Sequence, residues 1–316
     1  MKACPDCLPC LARNAVELAR RSARGDAALE ARIASEGMRI LADAAGEGFA
    51  LSPPCYARKL IDNALASCGG GVPDPWASEK NTSTELALKL MSRLEEVPGW
   101  DAESFESRLR LAVAGNILDF SIYADIDIAA AMGQMATAFT KPIDMAAVDA
   151  LKRCMDEAKS ILWIFDNCGE AVFDRLLMEP YRNKITLAVR GKPAFNDMTR
   201  AELTASGYSD GFAAGGVVSN DDGVPGVVDE TCGETFRAAF AAADLVVAKG
   251  QANFETMNER ADKSMAFLFL AKCPVVCRAV GAEPKTIQVL LRNVAPRICG
   301  VMKQCNSKNK DKSSGK

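Results

Sequence analysis

Histidine is absent from the 316 residues of this sequence. Histidine is the usual general base near neutral pH and the commonest metal ligand in proteins. Its absence therefore excludes Ser-His and Cys-His nucleophile pairs and every histidine-bound metal site. Any acid–base chemistry must be carried out by Asp, Glu, Lys, Tyr or Cys side chains.

Long apolar runs and a strong excess of either charge are absent as well. No apolar run approaches the roughly 18 residues that span a bilayer, and residues 1–4 lack the apolar core of a signal peptide. The 38 Lys and Arg against 41 Asp and Glu give a net charge of -3, which provides no electrostatic attraction for nucleic acid or an anionic membrane. We therefore expect a globular, cytoplasmic protein whose partner is a small molecule, with no nucleic acid and no membrane.

The glycine-rich motifs of nucleotide-binding enzymes are also missing. No Gly-Lys-Ser/Thr follows the run Gly69-Gly70-Gly71, so this run is not a P-loop, and no G-x-G-x-x-G follows a predicted strand. Kinase and dinucleotide-dependent functions therefore lose their main support.

Cysteine, in contrast, is plentiful, with 12 residues in the chain. Without a secretory signal, reduced thiols are expected rather than disulfides. Cys4, Cys7 and Cys10 form a C-x2-C-x2-C motif. Tetrahedral zinc would need a fourth ligand, which Cys273 or Cys277 could supply through folding. The sequence leaves open whether these residues bind a structural metal or are ordinary buried or redox-active thiols.

The apolar pattern divides the chain into two halves of different type. Residues 1–158 have helical spacing, for example at Leu8 and Leu11, and predict an all-helical domain. Residues 159–302 alternate short β-rich runs with helix-length segments, which predicts an α/β domain with a three-layer α/β/α, doubly wound and mostly parallel sheet. Residues 303–316 are lysine-rich and predict a disordered tail. The predicted strands are Ile161–Phe165, Ile185–Val189, Gly216–Ser219, Leu245–Ala248, Phe267–Leu270 and Pro274–Val280.

Residues 161–177, with the sequence ILWIFDNCGEAVFDRLL, carry the clearest local pattern. The apolar run ends at Asp166 and Asn167 and gives way to helix-spaced apolar residues, which predicts a strand, a tight turn and a helix. Such a turn lies at the carboxyl end of a strand, where α/β proteins bind ligands, and the following helix offers free N–H groups to a phosphate. Oxygen ligands on a short loop suit a hard divalent cation.

Polar residues also follow three other predicted strands, at Arg190–Lys192, Asn220–Asp222 and Lys249–Asn253. Any one of these segments could be a solvated surface turn. If the strands are parallel, however, all these strand ends share one edge of the sheet, and carboxylates for a metal and cations for phosphate would converge there.

Asp197 lies beyond the second predicted strand and allows two interpretations. Asp197 or Asn196 could be the N-cap of a helix running to about Ala205. Alternatively, Asp197 could join Asp166 and Asn167 as a third oxygen ligand, leaving the rest of an octahedral shell to water and phosphate.

Several motifs, taken in order, resemble one known family. DNCGEAVFD at 166–174, RGKPAFNDMT at 190–199, ADLVVAKGQANFET at 243–256 and LAKCPV at 270–275 look like the damage-control phosphatases, a metal-dependent family once listed as domain of unknown function 89. The helical half is similar to the family's cysteine-bearing, largely prokaryotic subgroup, through CLPC at 7–10, DPWASEK at 74–80 and LAVAGNILDF at 111–120. The resemblance covers nearly the whole chain except the lysine tail.

This resemblance implies roles for individual residues. Asp166, Asn167 and Asp197 match the family's metal ligands, while Lys249 and Lys272 match lysines that hold the substrate phosphate or lie beside it. The further candidates for substrate contact or catalysis are Glu170, Arg190, Asn253 and Asn116.

Two positions bear on these assignments. Asn116 and Asp119 share one face of a predicted helix, where a helix–helix hydrogen bond or a surface patch is as good an explanation as a substrate contact. Glu202 departs from the family, which often has an Asp at this point after the Asn-Asp-x-Thr segment.

The resemblance implies hydrolysis of phosphomonoesters of small metabolites, such as sugar phosphates or damaged derivatives, with Mg²⁺, Mn²⁺, Co²⁺ or Ni²⁺ as cofactor. We expect Asp166, Asp197 and Glu170 to be the catalytic acids, with Glu170 or Asp197 orienting the attacking water, or a carboxylate acting as nucleophile. One alternative is an S-adenosylmethionine-dependent carboxyl methyltransferase, although this sequence has no glycine-rich loop for the methyl donor. The other is a non-catalytic metal- or nucleotide-binding module.

Overall fold

The computed structural model describes residues 1–68, 74–115, 128–209 and 211–294. Within these ranges, the chain before the first strand is helical. The strands that follow alternate with α-helices, except between β2 and β3, which are separated by a 3₁₀ turn. The first group consists of α1 Leu8–Ala23, α2 Ala27–Gly46, α3 Pro53–Ser67, α4 Ala77–Met91, α5 Phe105–Ala114, α6 Ile128–Thr140 and α7 Met145–Glu157. The second group consists of β1 Ile161–Ile164, α8 Cys168–Met178, β2 Ile185–Val189, β3 Val217–Ser219, α9 Glu234–Ala242, β4 Leu245–Lys249, α10 Gln251–Met257, β5 Met265–Leu270, α11 Pro274–Val280 and β6 Ile287–Arg292.

The strands form a six-stranded sheet in the order β3-β2-β1-β4-β5-β6. All neighbouring pairs are parallel except β5 and β6, which are antiparallel. The chain runs outward from β1 through β2 to β3, and then continues on the other side of β1 with β4. The strand order therefore reverses between β1 and β4, and ligands of open α/β sheets bind at the carboxyl end of such a switch point.

Helices cover both faces of the sheet, which gives the three layers. In β1, Ile161 and Trp163 point into a core shared with α5, α7 and α8. Leu162 and Ile164 point into a second core shared with α9, α10 and α11. All four residues of β1 are buried because helices cover the strand on both faces. Such a strand is apolar throughout, instead of alternating apolar and polar residues. The α/β fold class and mostly parallel sheet expected from the sequence are confirmed.

Two segments near the end of the described chain differ from the prediction. Pro274–Val280, predicted as a strand, is helix α11, in which Pro274 occupies the first turn, where a missing N–H costs nothing. The sixth strand is instead Ile287–Arg292, which the sequence analysis did not identify. Its outer half is only partly buried, so its apolar pattern is weaker than that of the central strands.

The helix expected from Asn196 or Asp197 to about Ala205 is also wrong. A single 3₁₀ turn, Arg200–Glu202, is found, and its N-cap is Thr199 rather than Asp197 or Asn196. Thr199 and Glu202 form a capping box. The Glu202 carboxylate accepts a hydrogen bond from the Thr199 amide, and the Thr199 hydroxyl accepts one from a backbone amide of the turn. Asp197 is thereby left outside the turn.

Helices α4 and α5 bring the helical half against the carboxyl edge of the sheet. A Cβ added to Gly115, at the end of α5, would lie 2.8 Å from the Glu170 Cα, so the two backbones touch. A helix long and apolar enough to cross a bilayer does not occur in the ranges given above. The glycine run 69–71, Asn116, Asp119 and the predicted tail 303–316 lie outside the described residues.

Candidate active site

The candidate metal ligands are brought together by backbone hydrogen bonds between two loops. Asp166 and Asn167 follow β1 directly, and Asn167 pairs with Asp197 in an antiparallel β-bridge. The amide of Met198 donates to the carbonyl oxygen of Asp166 at 2.8 Å. The loop after β2 therefore extends the sheet locally beside β1, at the switch point between β1 and β4.

Gly250, at the end of β4, packs directly against the side chain of Asp166. Its φ of +80° lies in the left-handed region, and a Cβ added there would stand 2.0 Å from the Asp166 Oδ2 atom. Glycine is therefore required at this position for two reasons, backbone conformation and space.

Burial dominates the electrostatics of the two acids. Asp166 is 8% exposed and Asp197 is 4% exposed. Burial raises the pKa of Asp166 well above its usual range, and repulsion from Asp197 and Glu170 raises it further. Burial also raises the pKa of Asp197, although the Arg190 guanidinium opposes this shift. Acids that are desolvated and repel one another are in the condition that a bound cation relieves.

Arg190 holds Asp197 in place from below the loop. Its Nε donates to the Asp197 Oδ2 atom at 2.7 Å, its Nη1 to the Gly226 carbonyl at 2.9 Å and its Nη2 to the Asn253 Oδ1 atom at 3.2 Å. The Asn253 amide nitrogen in turn donates to the backbone carbonyls of Phe165 and Lys249. Arg190 and Asn253, both buried, thus contact the loops that carry the candidate metal ligands rather than an open cleft.

Lys249 is completely buried in a cluster of charged residues. Its ammonium group forms ion pairs with Glu170 and, at 2.5 Å, with Asp174, and donates to the Ala112 carbonyl at 2.8 Å. Burial raises the pKa of Asp174 to about 7, against the opposing effect of Lys249. The three hydrogens of the ammonium group each have an acceptor within the protein, namely Glu170, Asp174 and the Ala112 carbonyl.

Asn167 connects this cluster to Asp166, another candidate metal ligand. Its amide nitrogen donates to the Asp166 Oδ2 atom at 2.9 Å and lies 3.5 Å from the Glu170 Oε2 atom. Since both amide hydrogens face carboxylates, Oδ1 is the atom of Asn167 that can ligate a metal. Asn167 is also the N-cap residue of α8, so a ligand bound here would meet the positive end of that helix.

The other predicted site residues are placed differently. Lys272 is exposed and lies two residues beyond β5, at the same edge of the sheet, where its amide and that of Cys273 donate to the Gln251 side chain. Asn220, at the end of β3, accepts a hydrogen bond from the Gly191 amide at 2.9 Å and so stabilises the loop. Asn116 is outside the described residues.

Three residues near the site were not identified from the sequence. Asp174 lies one helical turn beyond Glu170, and this i,i+4 spacing of acids on one face of α8 was the signal that could have indicated it. Gly250 could have been noticed as a glycine directly after a strand-terminal lysine. Lys80, on α4, ends the DPWASEK motif, which also contains its partner Asp74, but its contact with Glu202 is made only through folding.

The residues present fit a divalent cation if the amide oxygen of Asn167 takes part. Among the residues that the structure describes, no three Cys, Asp or Glu side chains are grouped so that they could hold a metal ion. Asp166 and Asp197 supply two carboxylates, and Asn167 supplies the third oxygen at the same place. Two carboxylates and one amide are the hard oxygen donors that Mg²⁺ and Mn²⁺ prefer.

The N-terminal cysteines form a separate group. The Cys4 and Cys7 sulfur atoms are 3.8 Å apart, and all ten cysteines in the described ranges are free thiols. Cys7 and Cys10 both interact electrostatically with Cys273, so the fold does bring this distant cysteine toward the motif. In the described part of the chain, however, no three of these thiols are grouped so that they could hold a metal ion, which favours ordinary thiols among the two interpretations.

Comparisons with known proteins agree with this architecture. The family model of the damage-control phosphatase ARMT1-like domain matches residues 3–287. The chain is 31% identical to damage-control phosphatase PH1575 of Pyrococcus horikoshii over 93% of this chain and 99% of that protein, and 27% identical to a damage-control phosphatase of Archaeoglobus fulgidus over 67% and 74%. The crystal structure of PH1575, described as a DUF89 family protein, superposes with a TM-score of 0.80 at 26% identity, covering 93% of this chain and all of the other. The chain therefore belongs to the damage-control phosphatase ARMT1-like family, formerly DUF89.

Proposed function

We propose that this protein is a phosphomonoesterase that depends on a divalent cation and acts on small phosphorylated metabolites. The observation that carries the proposal is the convergence of Asp166, Asn167 and Asp197 at the switch point of the sheet, where burial raises the pKa of both carboxyl groups and a cation would favour their ionised forms. Relatives named damage-control phosphatases support a phosphatase role.

In this proposal, Asp166, Asn167 and Asp197 would hold Mg²⁺, Mn²⁺, Co²⁺ or Ni²⁺. When bound, the ion would supply charge stabilisation to a phosphoryl oxygen. The chain contributes the rest of the electrostatics. The N-terminus of α8 directs backbone N–H groups toward the same place, and a phosphate is favoured there.

Lys249 and Lys272 have different roles in this proposal. Lys249 acts through Glu170, because its ammonium group is buried and has three protein acceptors. We assign it to fixing the Glu170 carboxylate, which would orient the attacking water. We assign direct contact with the substrate phosphate to Lys272, an exposed lysine at the same edge.

A chromogenic phosphate ester tests the proposal in the presence of each of the four metals. We expect metal-dependent release of phosphate that is abolished by chelation, and a loss of at least about 100-fold in Asp166→Ala at saturating metal, since removing a ligand or its support costs on the order of 10- to 100-fold or more. Asp149→Ala, an exposed residue of α7, is the matched control and should keep the native rate.

Native rates in Asp166→Ala with added metal would refute the assignment of this ligand. Transfer of a labelled methyl group from S-adenosylmethionine, without phosphate release, would favour the methyltransferase alternative instead. A panel of phosphorylated metabolites, including sugar phosphates, would then identify the substrate. The cytoplasmic location expected from the sequence belongs to the same proposal, since such metabolites are found there.

A further inference from the structure

Lys80 is a lysine with no exposed surface, which is rare because an ammonium group loses its hydration on burial. Its Nζ atom lies 2.5 Å from the Asp74 Oδ2 atom and 3.4 Å from the Glu202 Oε1 atom. Burial alone would lower the pKa of Lys80, but the two acids raise it above its usual value. Lys80 is therefore held as a cation inside the protein.

The contacts of Lys80 lead directly to the candidate metal-binding loop. Glu202 uses its second oxygen, Oε2, to accept from the Thr199 amide at 2.9 Å and from the Thr199 hydroxyl at 2.7 Å. Thr199 is two residues beyond Asp197, in the segment whose Met198 amide is bonded to the Asp166 carbonyl. One carboxylate thus connects a lysine of α4 to the chain that carries Asp197.

The two sides of this segment are held by different cations. Arg190 contacts Asp197 directly, from the sheet. Lys80 acts from the helical half, through Glu202 and Thr199. The segment that carries Asp197 is therefore bonded to the Arg190 guanidinium directly and to the Lys80 ammonium through Glu202.

We propose that Lys80 is a positioning residue for the metal site, anchoring the Asp197 loop to α4 through Glu202. The inference rests on the proposed function, because it assumes that Asp197 ligates a cation. Lys80 touches neither substrate nor metal in this assignment. Its effect is to keep Asp197 at the distance from Asp166 and Asn167 that a single ion requires, and to tie the helical half to the sheet at this point.

Metal affinity is the measurement that separates positioning from general stability. We expect Lys80→Met to weaken Mn²⁺ binding, measured by calorimetry, by about 10- to 100-fold, the usual effect of losing an outer-sphere partner. Phosphatase activity should recover as Mn²⁺ is raised to saturation, because the reacting groups are intact. Lys89→Met, an exposed lysine of the same helix, should bind Mn²⁺ like the native protein.

Glu202→Gln provides a second variant if Lys80→Met does not fold. The amide can still accept from Thr199, but it loses the ion pair with Lys80. We expect weaker Mn²⁺ binding than in the native protein, and a double variant that binds no worse than Lys80→Met, since both changes break one connection.

The outcomes are distinguishable from those of the proposed function. A native protein that binds no divalent cation overturns both. If the native protein binds Mn²⁺ and hydrolyses phosphate esters, but folded Lys80→Met or Glu202→Gln binds Mn²⁺ within twofold of it, the role of Lys80 is overturned and the proposed function stands. Additive losses in the double variant would likewise show that the two residues do not act through one contact.

Discussion

Replacing Gly250 with alanine tests the geometry of the site more directly than removing a ligand. The added Cβ would stand 2.0 Å from the Asp166 Oδ2 atom, whereas real Cβ atoms essentially never come closer than 3.0 Å to another heavy atom. Asp166 or the end of β4 must therefore move by about 1 Å, the difference between these two distances. A 1 Å misplacement at a catalytic centre costs on the order of 100-fold in rate.

The backbone adds a second effect, which a matched variant isolates. Gly250 has φ +80° and ψ +156°, a region that is open essentially only to glycine, and alanine there costs about 1–3 kcal/mol in stability. Gly281, after α11, has φ +70°, and a Cβ there would meet nothing within 4 Å. Gly281, at φ +70° and ψ +33°, is in the αL region, so Gly281→Ala should lose only about 1 kcal/mol and should not displace Asp166, whereas Gly250→Ala should lose more.

The assay is Mn²⁺ affinity and phosphatase rate, with urea unfolding on the same preparations. We expect both variants to fold, Gly281→Ala to keep native metal affinity and rate, and Gly250→Ala to lose about 100-fold in one or both. Native affinity and rate in Gly250→Ala would refute the reasoning, because Asp166 would then tolerate displacement and could not be a ligand in the proposed arrangement.

Two further predictions concern titratable groups away from the metal ligands. Burial raises the pKa of Glu255 from 4.5 to about 7, so the stability contributed by its protonated form is full below pH 4.5 and is lost as the pH rises through 7. At about 1.4 kcal/mol per pKa unit, the free energy of unfolding of Glu255→Gln should be higher than that of the native protein by roughly 3 kcal/mol at pH 8, and only slightly higher at pH 5. Urea unfolding that gave the same difference at both pH values would contradict this. Burial raises the pKa of Cys7 to about 11. Its alkylation by iodoacetamide, followed by mass spectrometry, should therefore accelerate about tenfold per pH unit between pH 7 and 10, and a rate independent of pH would show that burial does not control this thiol.

The central strands of the sheet could be predicted from the sequence because their local residue pattern and their tertiary packing favour the same structure. Ile161–Phe165 is apolar throughout, and only a strand covered on both faces needs that pattern over so few residues. The position of Asp166 and Asn167 at its carboxyl end then follows from the chain direction alone. Parallel pairing of β1 with β2 and β4 places the other strand ends along the same edge.

The periphery could not be predicted in this way, because competing local patterns are decided by distant contacts. Pro274–Val280 contains β-branched residues typical of a strand, yet a short apolar run is compatible with either element. Here the Gln251 side chain accepts from the amides of Lys272 and Cys273, immediately before the helix. The turn after Asp197 is similar. Glu202 caps it and also contacts Lys80, which is 122 residues away in the sequence.

The partners of the charged residues were beyond the sequence for the same reason. Arg190 and Lys249 were recognisable as cations at strand ends, and that position suggested contact with phosphate. The structure gives each of them acidic partners within the protein instead, Asp197 for Arg190 and Glu170 for Lys249. A strand-end position fixes the edge on which a side chain lies, but not whether it faces the cleft or the loops beneath it.

The balance of buried charge is the physical reason to expect a cation here. Four buried acids, Asp166, Glu170, Asp174 and Asp197, lie around the end of β1, and two buried cations, Lys249 and Arg190, lie among them. If all six groups are ionised, four negative charges less two positive ones leave an excess of two. In the absence of an ion, this excess must be relieved by protonation, which agrees with the raised pKa of Asp166 and Asp174. A divalent cation carries two positive charges, which would let all four acids ionise together. Metal binding should therefore release protons. A site selected only for stability would not retain an excess of buried negative charge.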